Sequence, residues 1–237
     1  MNIEGKNAIV TGAGSGLGAA ISTALVQAGA RVFGLARNEK ALAAMQQSLG
    51  NTFVPVVMDI CNEQAVHQWF AQQFASGYGA DILINNAGVG AFAPIDELPS
   101  AQWHQIINTN LNGLYYLSSV VAHAMKANGV KGHIINIGSI IGKVGRAEST
   151  AYSSSKFAVQ GFSESLMLEL RPFGIKVSCV NPGSIETAFF NNSNISTHSN
   201  MLQPEDIAQS IIHLLQTPDN MLISEMLIRP LNPNAPE

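Results

Sequence analysis

The chain alternates between short apolar runs and longer segments with helical periodicity, and this alternation restricts its possible folds most strongly. The runs typical of strands cover 7–10, 31–36, 52–57, 81–84, 132–138, 175–180 and 221–228. The helical patterns between them cover 16–28, 39–49, 63–75, 100–127, 150–170 and 204–215. Most of the runs are hydrophobic throughout, as strands are when helices cover both faces of a parallel sheet. The alternation therefore predicts an α/β fold with a doubly wound parallel sheet and right-handed crossovers.

The composition favours one large globular domain. The 237 residues have a mass of 25.1 kDa, and 46% of them are hydrophobic while only 12% are charged. A chain of this size and composition can bury a substantial core, so we expect a single domain over 1–237. The formal net charge of -4 and the isoelectric point near 5.8 argue against nucleic acid as a partner, because nucleic-acid-binding proteins present a basic face.

The cysteines of the chain indicate a reducing compartment, and its hydropathy bears on whether the protein is secreted or spans a membrane. Cys61 and Cys179 are the two cysteines, and neither lies in a C-x-x-C or Cys/His cluster. We therefore expect neither a disulfide framework nor a metal site. The N-terminal segment has no apolar run of the signal-peptide type, and no segment approaches the roughly 20 apolar residues of a membrane span. These features predict a cytoplasmic protein without a membrane partner.

A glycine-rich segment, TGAGSGLG, lies between the first strand and the first helix at 11–18. It does not follow the G-x-G-x-x-G pattern, because the sixth position counted from Gly12 is Leu17. Its place in the fold still fits a phosphate-binding loop. Glycines let the backbone approach a pyrophosphate, and the helix N-terminus offers free N–H groups. We interpret the segment as a dinucleotide-binding loop; the alternative is a flexible turn.

The end of the second strand bears on which nicotinamide dinucleotide would bind. NAD-binding folds usually place an acidic residue there to hold the ribose 2′-hydroxyl. Here Ala36 and Arg37 occupy that position, and Glu39 falls in the first turn of the next helix. A guanidinium accommodates a 2′-phosphate through charge-assisted hydrogen bonds worth about 1.5–3 kcal/mol, or roughly 10- to 150-fold in affinity. Arg37 therefore favours NADP over NAD, unless it is a solvated surface charge.

Tyr152 and Lys156 are four residues apart on the predicted helix 150–170, so their side chains share one face. Lowering a tyrosine pKa from about 10 to about 7 requires roughly 4 kcal/mol. An ammonium about 4 Å away supplies on the order of 4 kcal/mol at an effective dielectric constant of about 20. The pair could therefore form a tyrosine acid/base with a lowered pKa. Taken alone, a Y-x-x-x-K spacing is more often a surface pair.

Other polar residues follow the strands at the same edge of the predicted sheet. Ser139 comes just after the fifth strand, NNAG at 85–88 follows the fourth, and Asn110 lies in the helix after it. VNPGS at 180–184 predicts the end of the sixth strand, because Asn-Pro-Gly cannot continue a central strand. Ligands of open α/β sheets bind at the carboxyl ends of the strands. We therefore expect these residues to lie at one site.

Together these motifs resemble the short-chain dehydrogenase/reductase family. The shared positions are Thr11, Gly12, Gly16, Gly18, Asp59, Asn85, Asn86, Ala87, Gly88, Asn110, Ser139, Tyr152, Lys156, Pro182 and Gly183. They occur in the order and at the spacing of the family over nearly the whole chain. The resemblance implies a Rossmann-like fold, and it identifies the glycine segment as the T-G-x-x-x-G-x-G loop of this family.

The resemblance also implies catalytic roles for four residues. Tyr152 would be the general acid in carbonyl reduction, or the base in the reverse direction. Lys156 would hold the nicotinamide ribose and lower the pKa of Tyr152. Ser139 would hydrogen-bond the substrate oxygen, although it could instead be a strand-end hydroxyl satisfied by backbone. Asn110 would anchor a water molecule of the proton relay.

By the same resemblance, a larger set of residues would bind the cofactor. Its members besides Arg37 are Gly12, Ser15, Gly16, Leu17, Gly18, Asp59, Ile60, Asn86, Ala87, Gly88, Tyr152, Lys156, Pro182, Gly183, Ile185 and Thr187. Asp59 would meet the adenine amine, unless it only caps the following helix, and Ile185 and Thr187 would touch the carboxamide. Ser15 departs from the pattern, because NADP-preferring members often carry a basic residue there. The NADP prediction therefore rests on Arg37 and on the missing acid.

The segments after the fifth and sixth strands and the carboxyl tail bear on the substrate. We predict a mobile substrate loop at 184–203, because NNSNISTHSN is polar and aperiodic. Phe189, Phe190 and Met201 could form an apolar lid or pack on the fold, and Arg146 could bind a carboxylate or remain solvated. The predicted substrate contacts are Ser139, Arg146, Tyr152 and Phe189.

These observations predict an NADP(H)-dependent oxidoreductase. It would transfer hydride between the nicotinamide and a small secondary alcohol, ketone or hydroxy acid, with Tyr152 as general acid/base. One alternative is a 3-oxoacyl thioester reductase of lipid synthesis, and another is a nucleotide-sensing binding protein that performs no chemistry. The resemblance also implies a homodimer or homotetramer that assembles through the helices at 100–127 and 150–170.

Overall fold

The computed structural model describes residues 1–75, 79–190 and 196–236. Its strands are β1 (Asn7–Thr11), β2 (Arg31–Ala36), β3 (Phe53–Val57), β4 (Ile82–Asn85), β5 (His133–Ile137), β6 (Lys176–Pro182) and β7 (Glu225–Ile228). Its α-helices are α1 (Gly16–Gln27), α2 (Glu39–Leu49), α3 (Glu63–Gln73), α4 (Ser100–Ile107), α5 (Gly113–Ala127), α6 (Thr150–Leu170) and α7 (Pro204–Leu215). Within the described ranges, no helix is long and apolar enough to cross a membrane.

The seven strands of the described residues form one parallel sheet in the order β3-β2-β1-β4-β5-β6-β7. The order reverses between β1 and β4, which are neighbours although two strands separate them along the chain. This is the Rossmann arrangement, and the reversal leaves a crevice at the carboxyl ends of β1 and β4. The prediction of a Rossmann-like, doubly wound sheet in a single domain is confirmed.

Helices cover both faces of the sheet, so successive residues of one strand belong to different cores. Ala8 and Val10 of β1 lie in a buried cluster with residues of α1 and α7. Ile9, between them, lies in a second cluster with residues of α3 and α5. Because all three side chains are buried, β1 has a continuous apolar sequence rather than an alternating one.

The helix predicted at 100–127 is divided in the structure. α4 ends at Ile107, α5 begins at Gly113, and a π-helical turn at Asn108–Asn112 joins them. The turn directs Asn110 inward, where Oδ1 accepts a hydrogen bond from the Val89 N–H at 2.8 Å and Nδ2 donates to the Val89 carbonyl at 2.9 Å. These bonds to a distant backbone stabilise the extra residue of the π turn, which apolar periodicity did not predict.

β6 extends farther than expected, and the prediction that it ends at 180 is wrong. The strand continues through Asn181 and Pro182, although its pairing with β5 stops at Val180. Pairing with β7 continues to Pro182, opposite Ile228, and the Gly183 N–H donates to the Ile228 carbonyl at 2.7 Å. Alternate residues of a strand bond to opposite neighbours, so the nitrogen of Pro182 faces the side on which β5 has already ended. The missing N–H of proline therefore costs no ladder bond there.

The substrate loop predicted at 184–203 is described in part, since residues 191–195 and the side chain of Phe190 lie outside the described residues. The two ends of the loop lie side by side. The Leu202 N–H donates to the Ser184 carbonyl at 3.0 Å, and the Glu186 N–H donates to the Leu202 carbonyl at 2.9 Å. The chain therefore leaves β6 and returns towards α7 at the same edge of the sheet.

His133, the first residue of β5, is only 1% exposed. Ser178 Oγ donates to the Ile223 carbonyl at 2.6 Å, so its oxygen accepts from His133 Nε2–H at 2.8 Å. This arrangement fixes the neutral tautomer with an unprotonated Nδ1, which is buried and has no hydrogen-bond partner among the described residues. Burial, reinforced by the charge of Lys176, lowers the pKa of His133 to about 3.

Acidification is expected to destabilise the fold through His133. Its pKa falls from the ordinary 6.5 to about 3 on folding, so the unfolded chain binds more protons and the unfolding free energy falls as the pH drops below 6.5. Between about pH 7 and pH 5 this group should cost about 2 kcal/mol. Urea unfolding at both pH values should show this loss removed in His133→Gln and retained in His67→Gln, whose histidine is exposed on α3. Equal losses for His133→Gln and the wild type would contradict the prediction.

Candidate active site

A cavity of about 950 Å³ opens at the carboxyl edge of the sheet, where the strand order reverses. The residues predicted to act in catalysis or to bind cofactor or substrate line this cavity, with Asn110 as the exception. They are Gly12, Ser15, Gly16, Leu17, Gly18, Arg37, Asp59, Ile60, Asn86, Ala87, Gly88, Ser139, Arg146, Tyr152, Lys156, Pro182, Gly183, Ile185, Thr187 and Phe189. The fold therefore brings residues from all parts of the chain to one place.

The glycine segment forms the wall of the cavity beside β1. Gly12 and Gly16 have φ angles of 67° and 51°, a region that favours glycine. A Cβ on Gly18 would collide with the carbonyl oxygen of Gly12, so the loop can pack against α1 only without side chains. The N-terminus of α1 is thereby open to the cavity, with the free N–H groups that bind a pyrophosphate. These residues fit the phosphates of a dinucleotide.

Thr11 connects the ends of β1 and β4, a role that the sequence did not reveal although Thr11 begins the glycine segment. Its Oγ1 accepts hydrogen bonds from the backbone N–H groups of Asn86 and Ala87, each at 2.9 Å. Asn86 Nδ2 in turn donates to the Thr11 carbonyl at 2.9 Å. These bonds hold the floor of the cavity at the point where the strand order reverses.

One end of the cavity lies beyond β2 and β3. The exposed side chain of Arg37 lines it, whereas Glu39 lies in the first turn of α2 and outside the lining. The rim after β2 therefore carries a guanidinium and no carboxylate. Asp59 lines the cavity after β3, and its Oδ1 accepts from the Cys61 N–H at 3.0 Å. The side chain that caps α3 is Asn62, so capping does not explain Asp59.

Ser139, Tyr152 and Lys156 come together at the other end of the cavity. Ser139 follows β5, and the other two lie one turn apart on α6. Lys156 Nζ donates to the Ile137 carbonyl at 2.7 Å and lies 5.7 Å from the centre of the Tyr152 ring. The three residues are 8%, 8% and 5% exposed, so the groups that would carry out the chemistry are largely shielded from water.

Burial controls the titration of this cluster. It raises the pKa of Tyr152 to about 12, against the opposing effect of a hydrogen bond with Ser139. Burial also lowers the pKa of Lys156 to about 8. The prediction of a lowered Tyr152 pKa is therefore wrong in this structure. Lys156 Nζ is held by the Ile137 carbonyl, and loss of hydration on burial is the largest cause of both pKa shifts.

Asn110 lies behind the wall of the cavity and is 2% exposed. Besides its bonds to Val89, it donates from Nδ2 to Ser155 Oγ at 2.9 Å. Ser155 Oγ donates to the backbone carbonyl of Tyr152 at 2.8 Å. The contacts of Asn110 are thus with the framework that carries Tyr152, and a water relay through it stays a prediction.

Apolar side chains surround Tyr152. The ring centres of Phe92 and Phe189 lie 5.8 and 5.5 Å from that of Tyr152, and Met201 also lines the cavity. Arg146 lies at the exposed rim. Lining residues that the sequence did not reveal include Asn38, Met58, Phe92, Ile140, Ile141 and His198. They lie in loops or just after strands, where no periodicity marks the side of the chain that faces a ligand.

A match to a family sequence model decides the classification. The model of the short chain dehydrogenases matches residues 6–197, a range that includes the glycine segment, Ser139, Tyr152 and Lys156. The chain belongs to the short-chain dehydrogenase family. It is an oxidoreductase with a fold that binds a nicotinamide dinucleotide.

Relatives of this short-chain dehydrogenase carry different substrate names. A farnesol dehydrogenase of Aedes aegypti is 35% identical over 239 residues, which cover 96% of each chain. A 3-oxoacyl-[acyl-carrier-protein] reductase of Vibrio harveyi is 34% identical over 223 residues, which cover 90% of this chain and 91% of the reductase. A metagenomic short-chain oxidoreductase solved in complex with NADP is 34% identical, with a TM-score of 0.84 and coverage of 98% and 100% of the two chains.

The Thr11 hydroxyl is expected to be essential to the stability of this short-chain dehydrogenase. Thr11→Val keeps the shape of the side chain but leaves the part-buried Ala87 N–H without its acceptor, which should cost about 1 kcal/mol of unfolding free energy. Thr11→Ser keeps the oxygen and should lose much less. Urea unfolding of both variants measures the difference, and an equal loss in the two would show that the hydrogen bonds do not matter.

Proposed function

We propose that the enzyme reduces small ketones with NADPH, or oxidises the corresponding secondary alcohols. One observation carries this proposal: a single cavity joins Arg37, after β2, to Ser139, Tyr152 and Lys156. Arg37, which would bind a 2′-phosphate, and the residues that would act on a carbonyl group thus lie along one binding site. Reduction by a dinucleotide requires this arrangement.

The cofactor would be held by residues along the whole cavity. The glycine segment would bind its phosphates, Arg37 its 2′-phosphate and Lys156 its nicotinamide ribose. When bound, it supplies the hydride that protein side chains cannot provide. NADP is favoured over NAD because Arg37 lines the rim after β2 while Glu39 remains on α2, and the NADP complex of the metagenomic relative supports this preference.

Tyr152 would donate the proton to the carbonyl oxygen during reduction. Its raised pKa of about 12 keeps the phenol protonated at neutral pH, which is the form that an acid needs. Ser139 Oγ accepts from the Ile141 N–H at 3.2 Å, and its hydroxyl, which bonds with Tyr152 in this structure, would donate to the same substrate oxygen once substrate binds. Lys156, with its pKa lowered to about 8, is mostly charged at pH 7 and would stabilise the phenolate as it forms.

The substrate would be a small and largely apolar carbonyl compound. Phe92 and Phe189 lie beside Tyr152, and Met201 lines the same cavity. Arg146 at the rim favours a substrate that also carries a carboxylate. Reduction of a 3-oxoacyl thioester is a second candidate, supported by the 34% identity to the Vibrio harveyi reductase. A nucleotide sensor is disfavoured, because it would have no use for a buried tyrosine beside Ser139.

We also propose that the enzyme forms a homodimer or homotetramer through α5 and α6. A second cavity, of about 660 Å³, lies along these helices. Tyr115 and Phe173 line it and are 50% and 49% exposed. Exposed aromatic side chains around a groove are typical of protein interfaces. The proposed location in the cytoplasm rests on the sequence alone.

A substrate panel tests the proposed reaction. NADPH and NADH absorbance would be followed with small ketones, 3-oxo acids and 3-oxoacyl thioesters, for the wild type and Tyr152→Phe in parallel. We expect the wild type to oxidise NADPH with a small ketone or 3-oxo acid. Tyr152→Phe should lose about 100-fold or more in kcat, because a positioned acid contributes roughly 10²–10⁴-fold. The phenylalanine ring preserves packing on Phe92 and Phe189, so cofactor affinity should persist. Equal turnover by the two proteins would contradict the proposal.

The charge of Arg37 is expected to set the choice of cofactor. Arg37→Ala should weaken NADPH binding by roughly 10- to 150-fold while NADH binding changes little, because only NADPH carries the 2′-phosphate. Lys40→Ala removes the same charge from an exposed position on α2 outside the cavity lining and is the matched control. Fluorescence titration with both cofactors measures the dissociation constants. A similar weakening of NADPH and NADH by Arg37→Ala would show that Arg37 does not contact the 2′-phosphate.

A further inference from the structure

Asn181, in β6, is fully buried and lies outside the lining of the cavity. Its Oδ1 accepts from the Ser139 N–H at 3.1 Å and from the Cys179 thiol at 3.5 Å. Its Nδ2 donates to Gln160 Oε1 at 2.9 Å and to Glu225 Oε1 at 3.0 Å. A carboxamide has two N–H donors and an oxygen with two lone pairs, so each of its hydrogen-bonding positions is used.

The partners of Asn181 fix the orientation of its carboxamide. The carboxamide oxygen faces two hydrogen-bond donors, and the nitrogen faces a carboxylate oxygen and an amide oxygen. In the flipped orientation the N–H groups would face the two donors and the oxygen would face the two acceptor oxygens. The backbone ladder between β5 and β6 ends with the Gly138 N–H, which donates to the Val180 carbonyl at 2.8 Å. A Cβ on Gly138 would collide with Asn181 Oδ1. The side chain of Asn181 therefore continues the ladder by one bond, to Ser139.

The contacts of Asn181 join the elements that carry the reacting groups. Ser139 follows β5, whereas Gln160 lies on α6 one turn beyond Lys156 and on the same helix face. Glu225 lies on β7 and pairs with Lys143, in the loop after Ser139, at 2.8 Å. One buried carboxamide thus connects the loop that holds Ser139 with the helix that holds Tyr152.

We propose that Asn181 is a positioning residue that fixes Ser139 relative to Tyr152. The hydroxyl groups of these two residues must reach the same substrate oxygen, and they belong to different elements of the fold. Asn181 acts through the Ser139 backbone and touches neither substrate nor cofactor. The proposal rests on the proposed function, which gives Ser139 and Tyr152 their roles.

Asn181→Asp changes one atom of this arrangement and tests it. The aspartate keeps an oxygen for the Ser139 N–H but places a second oxygen against Glu225, and the two carboxylates repel. We expect kcat to fall by about 100-fold, the effect of a misplacement of about 1 Å, while the dissociation constant for NADPH stays unchanged. In Asn181→Asp/Glu225→Gln, the new glutamine can donate to the aspartate, so kcat should recover by about 10-fold or more over the single variant.

Glu225→Gln alone is the matched control. It keeps an acceptor for Asn181 Nδ2 and loses an ion pair with Lys143 whose side chains are 35% and 36% exposed, so kcat should stay within about threefold of the wild type. A wild-type kcat in Asn181→Asp, or a loss that Glu225→Gln does not recover, would overturn the proposal. Should Asn181→Asp not fold, Asn181→Ser removes the bond to Ser139 without adding a charge, and an unchanged kcat in that variant overturns the proposal equally.

Hydrogen exchange of the Ser139 amide, followed by NMR, separates this proposal from the proposed function. The amide should be protected in the wild type and in the double variant, and should exchange faster in Asn181→Asp. If the wild type turns over nothing in the substrate panel, the proposed function fails. If the Ser139 amide is as well protected in Asn181→Asp as in the wild type, the proposal that Asn181 positions Ser139 is wrong, whatever the activity of the variant.

Discussion

The hydroxyl of Thr11 joins two strands that the chain keeps far apart. β1 and β4 meet where the strand order reverses, and Thr11 Oγ1 accepts from the backbone of Asn86 and Ala87 there. The glycine segment begins at the next residue, and β5, which leads to Ser139, is the strand beyond β4. The relative position of the glycine segment and of the end of the cavity that holds Ser139 therefore depends on this junction.

The order of the elements could be predicted because a sheet covered on both faces imposes an apolar sequence on its central strands. The π turn at Asn110 could not, because it depends on bonds to Val89, which lies 21 positions away. The extension of β6 through Pro182 was missed for a similar reason. It depends on β5 ending before β7 does, and the local sequence of β6 contains no information about its neighbours.

Sequence motifs identified about half of the residues that line the cavity, but they did not predict the electrostatic surroundings of those residues. The spacing of Tyr152 and Lys156 specifies a shared helix face, but it does not predict whether the two side chains are exposed to water. In the fold both groups are buried, and Lys156 is held by the Ile137 carbonyl. Desolvation therefore dominates, and the pKa of Tyr152 rises to about 12 instead of falling. Asn181 was missed as well, since its partners come together only when β5, α6 and β7 are in place.

The contacts around the cavity span long stretches of chain: 75 positions separate Thr11 from Asn86, and 42 separate Ser139 from Asn181. Contacts of this kind form late in folding, because long loops must close before any of them is made. No short fragment of the chain contains both walls of the cavity, so catalytic competence appears only with the complete domain. A dinucleotide that binds across these walls would consequently stabilise the whole molecule against unfolding, by an amount that rises with its free concentration.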